Sequence, residues 1–462
     1  MEGSGSFYTP HRTVKHANAT AKQEAAPSEM IAGDPIVRAA KADPFGDRIH
    51  TILFVLWAFA LPLGMIPWAK DVVFGGLIIW SVLRATVGHV GYAWSGVPRS
   101  PLAWLLALWL LWSSLSLTWS PNPAFGADQL GGLRMLIVPF AVWPVLRKWR
   151  MALGGFIIGS TLVAAVIVAQ ATGWVTSDRS HRFSASMSIW QAGMVCVTIL
   201  LGHFLLAGVK PGAAAVVWHV GGVAIASTAL VLNATRSCWV AVIVVGIGSM
   251  LILIALTPTL RWRLFLIATA ATAGLAIAAT IDDAFLGSTG TKLVLRRTTP
   301  IIKQLEDSSQ FTANRGTVNH RRKMWNGGRN MISQRPIAGW GLGGLSTGML
   351  QHPGLKRAWP HLDAPINHEQ FNPHSSYVYQ GASTGLIGLA LMLGALVVAL
   401  ICMGLRVRND PVVIVPLAML SAWIVISAFE ATLLAGVGVG ALVLFLMPAI
   451  TRATQEPAEH LT

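Results

Sequence analysis

His374 lies in the run Asn372-Pro373-His374-Ser375-Ser376-Tyr377, which closes a long polar, arginine-rich segment and opens directly into an apolar one. Nine residues separate His374-Ser375 from Gly385-Leu386-Ile387-Gly388, already inside the apolar run. Imidazole takes up and releases a proton near neutral pH, so it can accept one from a sugar hydroxyl. The preceding proline and the Ser-Ser-Tyr that follows, at the mouth of a helix, set His374 apart. His320, His352, His361 and His368 read as ordinary satisfied polar residues. A histidine held at a membrane surface beneath a cationic hydrophilic segment suits chemistry on a substrate with one foot in the bilayer.

Arginines supply the second half of such chemistry. Arg236 follows Asn233-Ala234-Thr235 and starts an apolar run. One reading has it snorkel to lipid headgroups. The other is a phosphate clamp, since guanidinium binds phosphate oxygens through a planar two-pronged fork that a lysine lacks. A helix N-terminus would add its positive dipole end at the same spot. Arg321 and Arg322 precede Trp325 by four and three residues, and they read either as a solvated basic face or as ligands for an anion. Arg182 and Arg296-Arg297 are further candidates of the same kind. Together these arginines exceed what solubility needs and favour a diphosphate-like ligand. Metal catalysis is not expected. Mg²⁺- or Mn²⁺-dependent sugar transferases place carboxylates on the diphosphate. Here Asp282-Asp283 are adjacent, and no acidic pair with one residue between occurs in 281–376. The expectation is therefore no metal and no cofactor.

The elements that must position these residues follow from composition. Of 462 residues 54% are hydrophobic and 11% charged, with mean hydropathy +0.59. Soluble domains are about a quarter charged, so the chain reads as an all-α polytopic membrane protein. The 34 Lys+Arg against 19 Asp+Glu give a formal net charge of +15. In a membrane protein that excess fits cytoplasmic anchoring, contact with anionic membrane lipids or a phosphate-bearing substrate. Nucleic-acid binding is a poor reading, because no basic soluble domain stands apart. Cys196, Cys238 and Cys402 fall in apolar runs and match no metal or disulfide spacing.

A crossing helix needs roughly 20 apolar residues, which gives twelve expected spans. They lie near 50–67, 71–88, 102–119, 130–146, 151–171, 187–208, 214–233, 237–257, 263–280, 377–404, 411–429 and 431–450. The first two are short and punctuated by Pro62, Pro67, Gly75 and Gly76. Lys and Arg concentrate in alternate loops, which places both termini in the cytoplasm. Asp178–Arg182, with Arg179 and Arg182 on the outer side, is the exception. The domain reading is a flexible cytoplasmic tail at 1–49, without the layout of a secretory signal, and spans one to nine at 50–280. A large outer loop at 281–376 follows, then spans ten to twelve at 377–450 and a cytoplasmic tail at 451–462. The outer loop holds twelve Lys/Arg, six Asp/Glu and five His. Within it, Val318–Gln334 reads as an amphipathic helix ended by Arg335-Pro336. No internal repeat of the inverted-repeat transporter kind is present.

These residues resemble the O-antigen ligase and polymerase superfamily of bacterial surface-polysaccharide enzymes. His374-Ser375, nine residues and Gly385-x-x-Gly388 resemble the signature after the large periplasmic loop. Arg321-x-x-x-Trp325, with Arg335-Pro336-Ile337-x-Gly339-x-Gly341-x-Gly343, resembles the motif inside that loop. Arg236 resembles the ligase arginine usually followed four residues later by leucine, here Val240. The resemblance implies a GT-C-like architecture of about twelve spans in the Gram-negative inner membrane, with the active site facing the periplasm. It implies transfer of O-antigen from an undecaprenyl-diphosphate donor to a lipid A-core hydroxyl, metal-independent and inverting. His374 would be the catalytic base, and Arg236, Arg321, Arg322, Arg182 and Arg296 would bind substrate. An O-antigen polymerase or a protein O-oligosaccharyltransferase would share this architecture. A flippase for the same lipids is the competing class. It would bury ionisable residues at mid-membrane and show two related halves, whereas most spans here are uncharged at their centres.

Overall fold

A polar cap followed by proline starts helix after helix in the first third of the chain. The structure, a computed structural model, describes residues 34–64, 66, 68–88, 90–175, 185, 187–209, 212–233, 235–256, 317–350 and 373–453. Asp34, Asp43, Ser100 and Asn122 each accept a backbone N–H of the first turn, and a proline follows at the position where a missing N–H costs nothing. Asp34 and Asp43 open α1 (Pro35–Ala42) and α2 (Pro44–Ala60); α3 (Ala69–Thr86) comes next. Ser100 and Asn122 open α4 (Pro101–Leu115) and α5 (Pro123–Leu133). The chain continues through α6 (Trp149–Ala171), α7 (Ile189–Val209), α8 (Ala213–Asn233) and α9 (Arg236–Leu256). It ends with α10 (Thr317–Gln334), α11 (Leu345–Leu350), α12 (Ser376–Val407), α13 (Ile414–Phe429) and α14 (Gly436–Ala453). No strand occurs among the described residues.

Seven helices among the described residues are long and apolar enough to cross a membrane, or eight if Ala69–Thr86 and Gly91–Arg99 form one broken span. The chain is an all-α polytopic membrane protein. The described residues do not hold all twelve expected spans. The stretch at 130–146 is no single helix: α5 gives way to 3-10 turns at Arg134–Ile137 and Trp143–Lys148 around a four-residue turn, Val138–Ala141. Pro139 and Pro144 explain the break, since neither can donate to the preceding turn. α2 and the apolar part of the last helix, Gly436–Thr451, are shorter than a full span. The expected span at 263–280 lies outside the described residues, as do 281–316, 351–372 and the tails at 1–33 and 454–462.

Burial sorts the spans. α7 is buried on nearly every side, as a helix apolar all round must be when it sits at a bundle centre. α9 exposes Ile243, Val244, Ile247 and Leu251, the pattern of a helix facing lipid. Thr161 on α6, His203 on α7 and His219 on α8 join in one polar chain. Thr161 Oγ1 lies 2.9 Å from His203 Nε2, and His203 Nδ1 lies 2.9 Å from His219 Nδ1. α13 packs against α7, α9, α12 and α14, and α12 packs against α4 and α10. Those two helices carry the site.

Candidate active site

Gly385 is where the helix that follows His374 comes apart. Its φ of 70° and ψ of −173° interrupt α12, a conformation glycine adopts without the Cβ penalty. The interruption strands backbone groups that the helix would have used, and residues 336–344 take them. Trp340 N donates to Ala382 O at 3.0 Å and Gly341 N to Ser383 O at 2.7 Å; Leu386 N donates to Pro336 O at 2.7 Å. A Cβ on Gly385 would collide with Ile337 O, and one on Gly339 would collide with Gly385 N. The two glycine motifs are thus halves of one backbone clasp.

The first half of the chain staples the clasp in place. Trp112 Nε1 donates to Thr384 O at 2.8 Å and Trp119 Nε1 to Ala338 O at 3.2 Å. Leu342 N donates to Ser116 Oγ at 3.1 Å, and Ser120 Oγ donates to Leu342 O. Gln129 on α5 accepts from Gly343 N at 2.8 Å and from Tyr379 OH at 2.7 Å through one oxygen. These buried amides find partners as buried polar groups must. The result fixes α10, which ends one residue before the clasp, against α12.

Pro373, His374 and Ser375 form the corner that enters α12. Ser375 caps it by accepting from Val378 N at 3.5 Å. His374 has φ of 49°, uncommon for a residue with a side chain and a frequent mark of functional positions. Ser376 and Tyr377 bind the corner to the end of α13. Ser376 Oγ donates to Glu430 O at 3.1 Å, and Tyr377 OH donates to Ile424 O at 2.9 Å.

Glu430 then meets two of the expected residues. Arg321 Nη2 donates to Glu430 Oε1 at 2.8 Å, and His374 Nδ1 lies 3.3 Å from Glu430 Oε2. Glu430 is 5% exposed, whereas the side chains of Arg321 and His374 are 28% and 35% exposed. A carboxylate accepts and cannot donate, so the Nδ1 facing it is the protonated nitrogen. In the neutral imidazole that leaves the lone pair on Nε2, the tautomer a general base requires. The bond to Glu430 uses only part of the five-donor guanidinium of Arg321.

The other expected residues are distributed as follows. Arg322, one position and about 100° round the helix from Arg321, is exposed and is not part of this trio. Arg236 is the first residue of α9, and its side chain lies outside the described residues. Its backbone position is set by Asn233 Nδ2 and Thr235 Oγ1, which both donate to Ile189 O, at 3.1 and 3.2 Å. α9 runs along α13, whose C-terminal end meets Glu430. Arg182, Arg296, Arg297, His368, Glu369 and the Asp282-Asp283 pair lie outside the described residues. Among the described residues no group of three or more His, Cys, Asp or Glu converges as a metal site would.

Sequence reasoning missed Glu430 by treating it as the gap between two spans. A signal was there: it is the one charged residue between Pro411 and Thr451. An isolated ionisable group in an apolar run is a functional candidate by default. No curated protein matches the chain. Residues 221–393 match the family model described as O-antigen ligase, a stretch that holds Arg236, Arg321, His374 and both halves of the clasp and stops before Glu430. That match supports an O-antigen ligase relationship for this part of the chain.

Proposed function

We propose that this protein is an O-antigen ligase. In this reading it transfers O-antigen polysaccharide from undecaprenyl diphosphate to a sugar hydroxyl of lipid A-core, at the periplasmic face of the Gram-negative inner membrane. The observation that carries the reading is the buried Glu430 carboxylate shared between Arg321 and His374. It supports an oriented base beside a cation, which is what glycosyl transfer from a diphosphate needs.

The donor's polyprenyl chain lies between spans, and its diphosphate meets Arg236 and Arg321, with Arg322, Arg182 and Arg296 as further loop arginines. The acceptor hydroxyl approaches the anomeric carbon from the opposite side. His374 Nε2 takes its proton as the new C–O bond forms and the bond to the diphosphate oxygen breaks, so the anomeric centre inverts. The imidazolium that results is held by Glu430. Undecaprenyl diphosphate departs without a proton, because its charge is met by guanidinium groups. One base therefore suffices, and the reaction runs without metal.

The test is transfer by purified, reconstituted protein supplied with both lipids in excess EDTA. The expected product is lipid A-core bearing the glycan. Longer glycan still on undecaprenyl diphosphate would assign polymerase activity instead, and glycan on protein would assign protein glycosylation. Activity abolished by chelator and restored by Mg²⁺ would overturn the metal-free mechanism.

A further inference from the structure

The His374 end carries a second cationic station. Lys70, near the start of α3, and Arg134, just after α5, both bind Asp71. Lys70 Nζ is 3.2 Å from Oδ2, and Arg134 Nη2 is 2.6 Å from Oδ1. The Arg134 guanidinium also stands 5.7 Å from the centre of the Phe74 ring. The station shares an end with the trio. A Cβ on Gly436, the first residue of α14 and six beyond Glu430, would lie 3.8 Å from Lys70 Cε. Gln129, which ties Tyr379 to the clasp, lies five residues before Arg134 on the same stretch of chain.

Its setting differs from that of a structural ion pair. Arg134 is 44% exposed, and the residues that flank Lys70 and Asp71 in the chain expose apolar bulk: Trp68 is 65% exposed and Val72 63%. Tryptophan and aliphatic residues beside an outward-facing cation are the composition of a protein surface at headgroup depth. There, a guanidinium fork beside an ammonium recognises phosphate. Asp71 holds the two cations side by side.

We propose that Lys70 and Arg134 form a phosphate-binding subsite for the membrane-anchored acceptor. It takes a phosphomonoester of the acceptor's lipid headgroup while the acceptor's sugar hydroxyl reaches His374. The inference rests on the ligase reading above, and its experiment is independent of turnover.

Full-length protein is placed in nanodiscs of phosphatidylcholine, with or without phosphatidylglycerol. Binding of phosphorylated lipid A-core is compared with binding of the same lipid after phosphatase treatment. Wild-type protein is expected to prefer the phosphorylated lipid about tenfold, the worth of one charge-assisted contact. In Lys70→Gln/Arg134→Gln that preference falls to near unity in both discs. Arg134→Lys, which keeps the charge and loses the fork, falls between and covers the case in which the double variant does not fold. Absence of preference in wild type, or its retention in the variants, overturns the subsite. So does a deficit seen only with phosphatidylglycerol, which would assign the pair to bulk phospholipid. Preference without glycan transfer would sink the ligase reading and leave the subsite standing; transfer without preference would do the reverse.

Discussion

Arg84 and Arg321, at opposite ends of the bundle, meet their carboxylates in opposite ways. At the far end Arg84 is 3% exposed, with Nε 2.9 Å from Asp43 Oδ2 and Nη1 3.9 Å from Asp47 Oδ1. Nη1 also lies 3.3 Å from His50 Nδ1, and His50 Nε2 lies 3.3 Å from Ser81 Oγ. All of these partners belong to α2, α3 and the residue between α1 and α2. Arg147 with Asp34, and Arg150 with Asp410, lie at the same end, each with the arginine as the more exposed partner. In the trio of Glu430, Arg321 and His374 the carboxylate is the buried member and the groups it binds are partly exposed. Burial of the cation marks a joint between helices, where losing one partner is costly. Burial of the anion beneath a partly exposed arginine and histidine marks a site, because the carboxylate holds its partners where a substrate can reach them.

The sharpest test of that contrast is His374→Ala. We expect stable, inserted protein that binds donor but transfers glycan about 10²–10⁴-fold more slowly, the usual loss on removing a general base. Single-turnover transfer at near wild-type rate would make His374 structural and move the base elsewhere on that face.

What the sequence made legible were features with a local cause. The α10 helix, expected at Val318–Gln334, is found at Thr317–Gln334, because Pro336 restricts the residue before it and ends the helix. His374 was legible because a polar corner met an apolar run. The clasp was legible only as two glycine patterns, since nothing in either one says that Gly385 frees the groups Gly341 needs. Glu430 escaped because both of its partners are distant in sequence, and a lone acid between two apolar runs looks like a boundary. The break at 130–146 escaped because hydropathy averages over Pro139 and Pro144, whose effect is on backbone hydrogen bonds.

Arg236→Lys sharpens the comparison from the ligand's side. The charge remains and the two-pronged fork does not, so most transfer activity should be lost at normal protein level. Full activity in a quantitative assay would reduce Arg236 to a headgroup anchor.

Arg84→Ala probes the opposite end and should have the smallest effect on catalysis. Removing one member of a buried ion network costs about 3–5 kcal/mol, visible as a lower thermal midpoint in detergent. Transfer per folded molecule should stay at the wild-type rate. A selective loss of turnover with unchanged stability would mean the far end is coupled to the site.

The central claim is that Glu430 acts through His374, and a double-variant cycle measures it directly. Glu430→Gln preserves shape and removes the carboxylate, and we expect turnover to fall about 10–10²-fold, as when a group orienting a catalytic histidine is lost. In the His374→Ala background the same substitution should change turnover no further, because residues that act as one unit are not additive. If instead the two losses multiply, Glu430 and His374 work separately and the trio is not the catalytic unit.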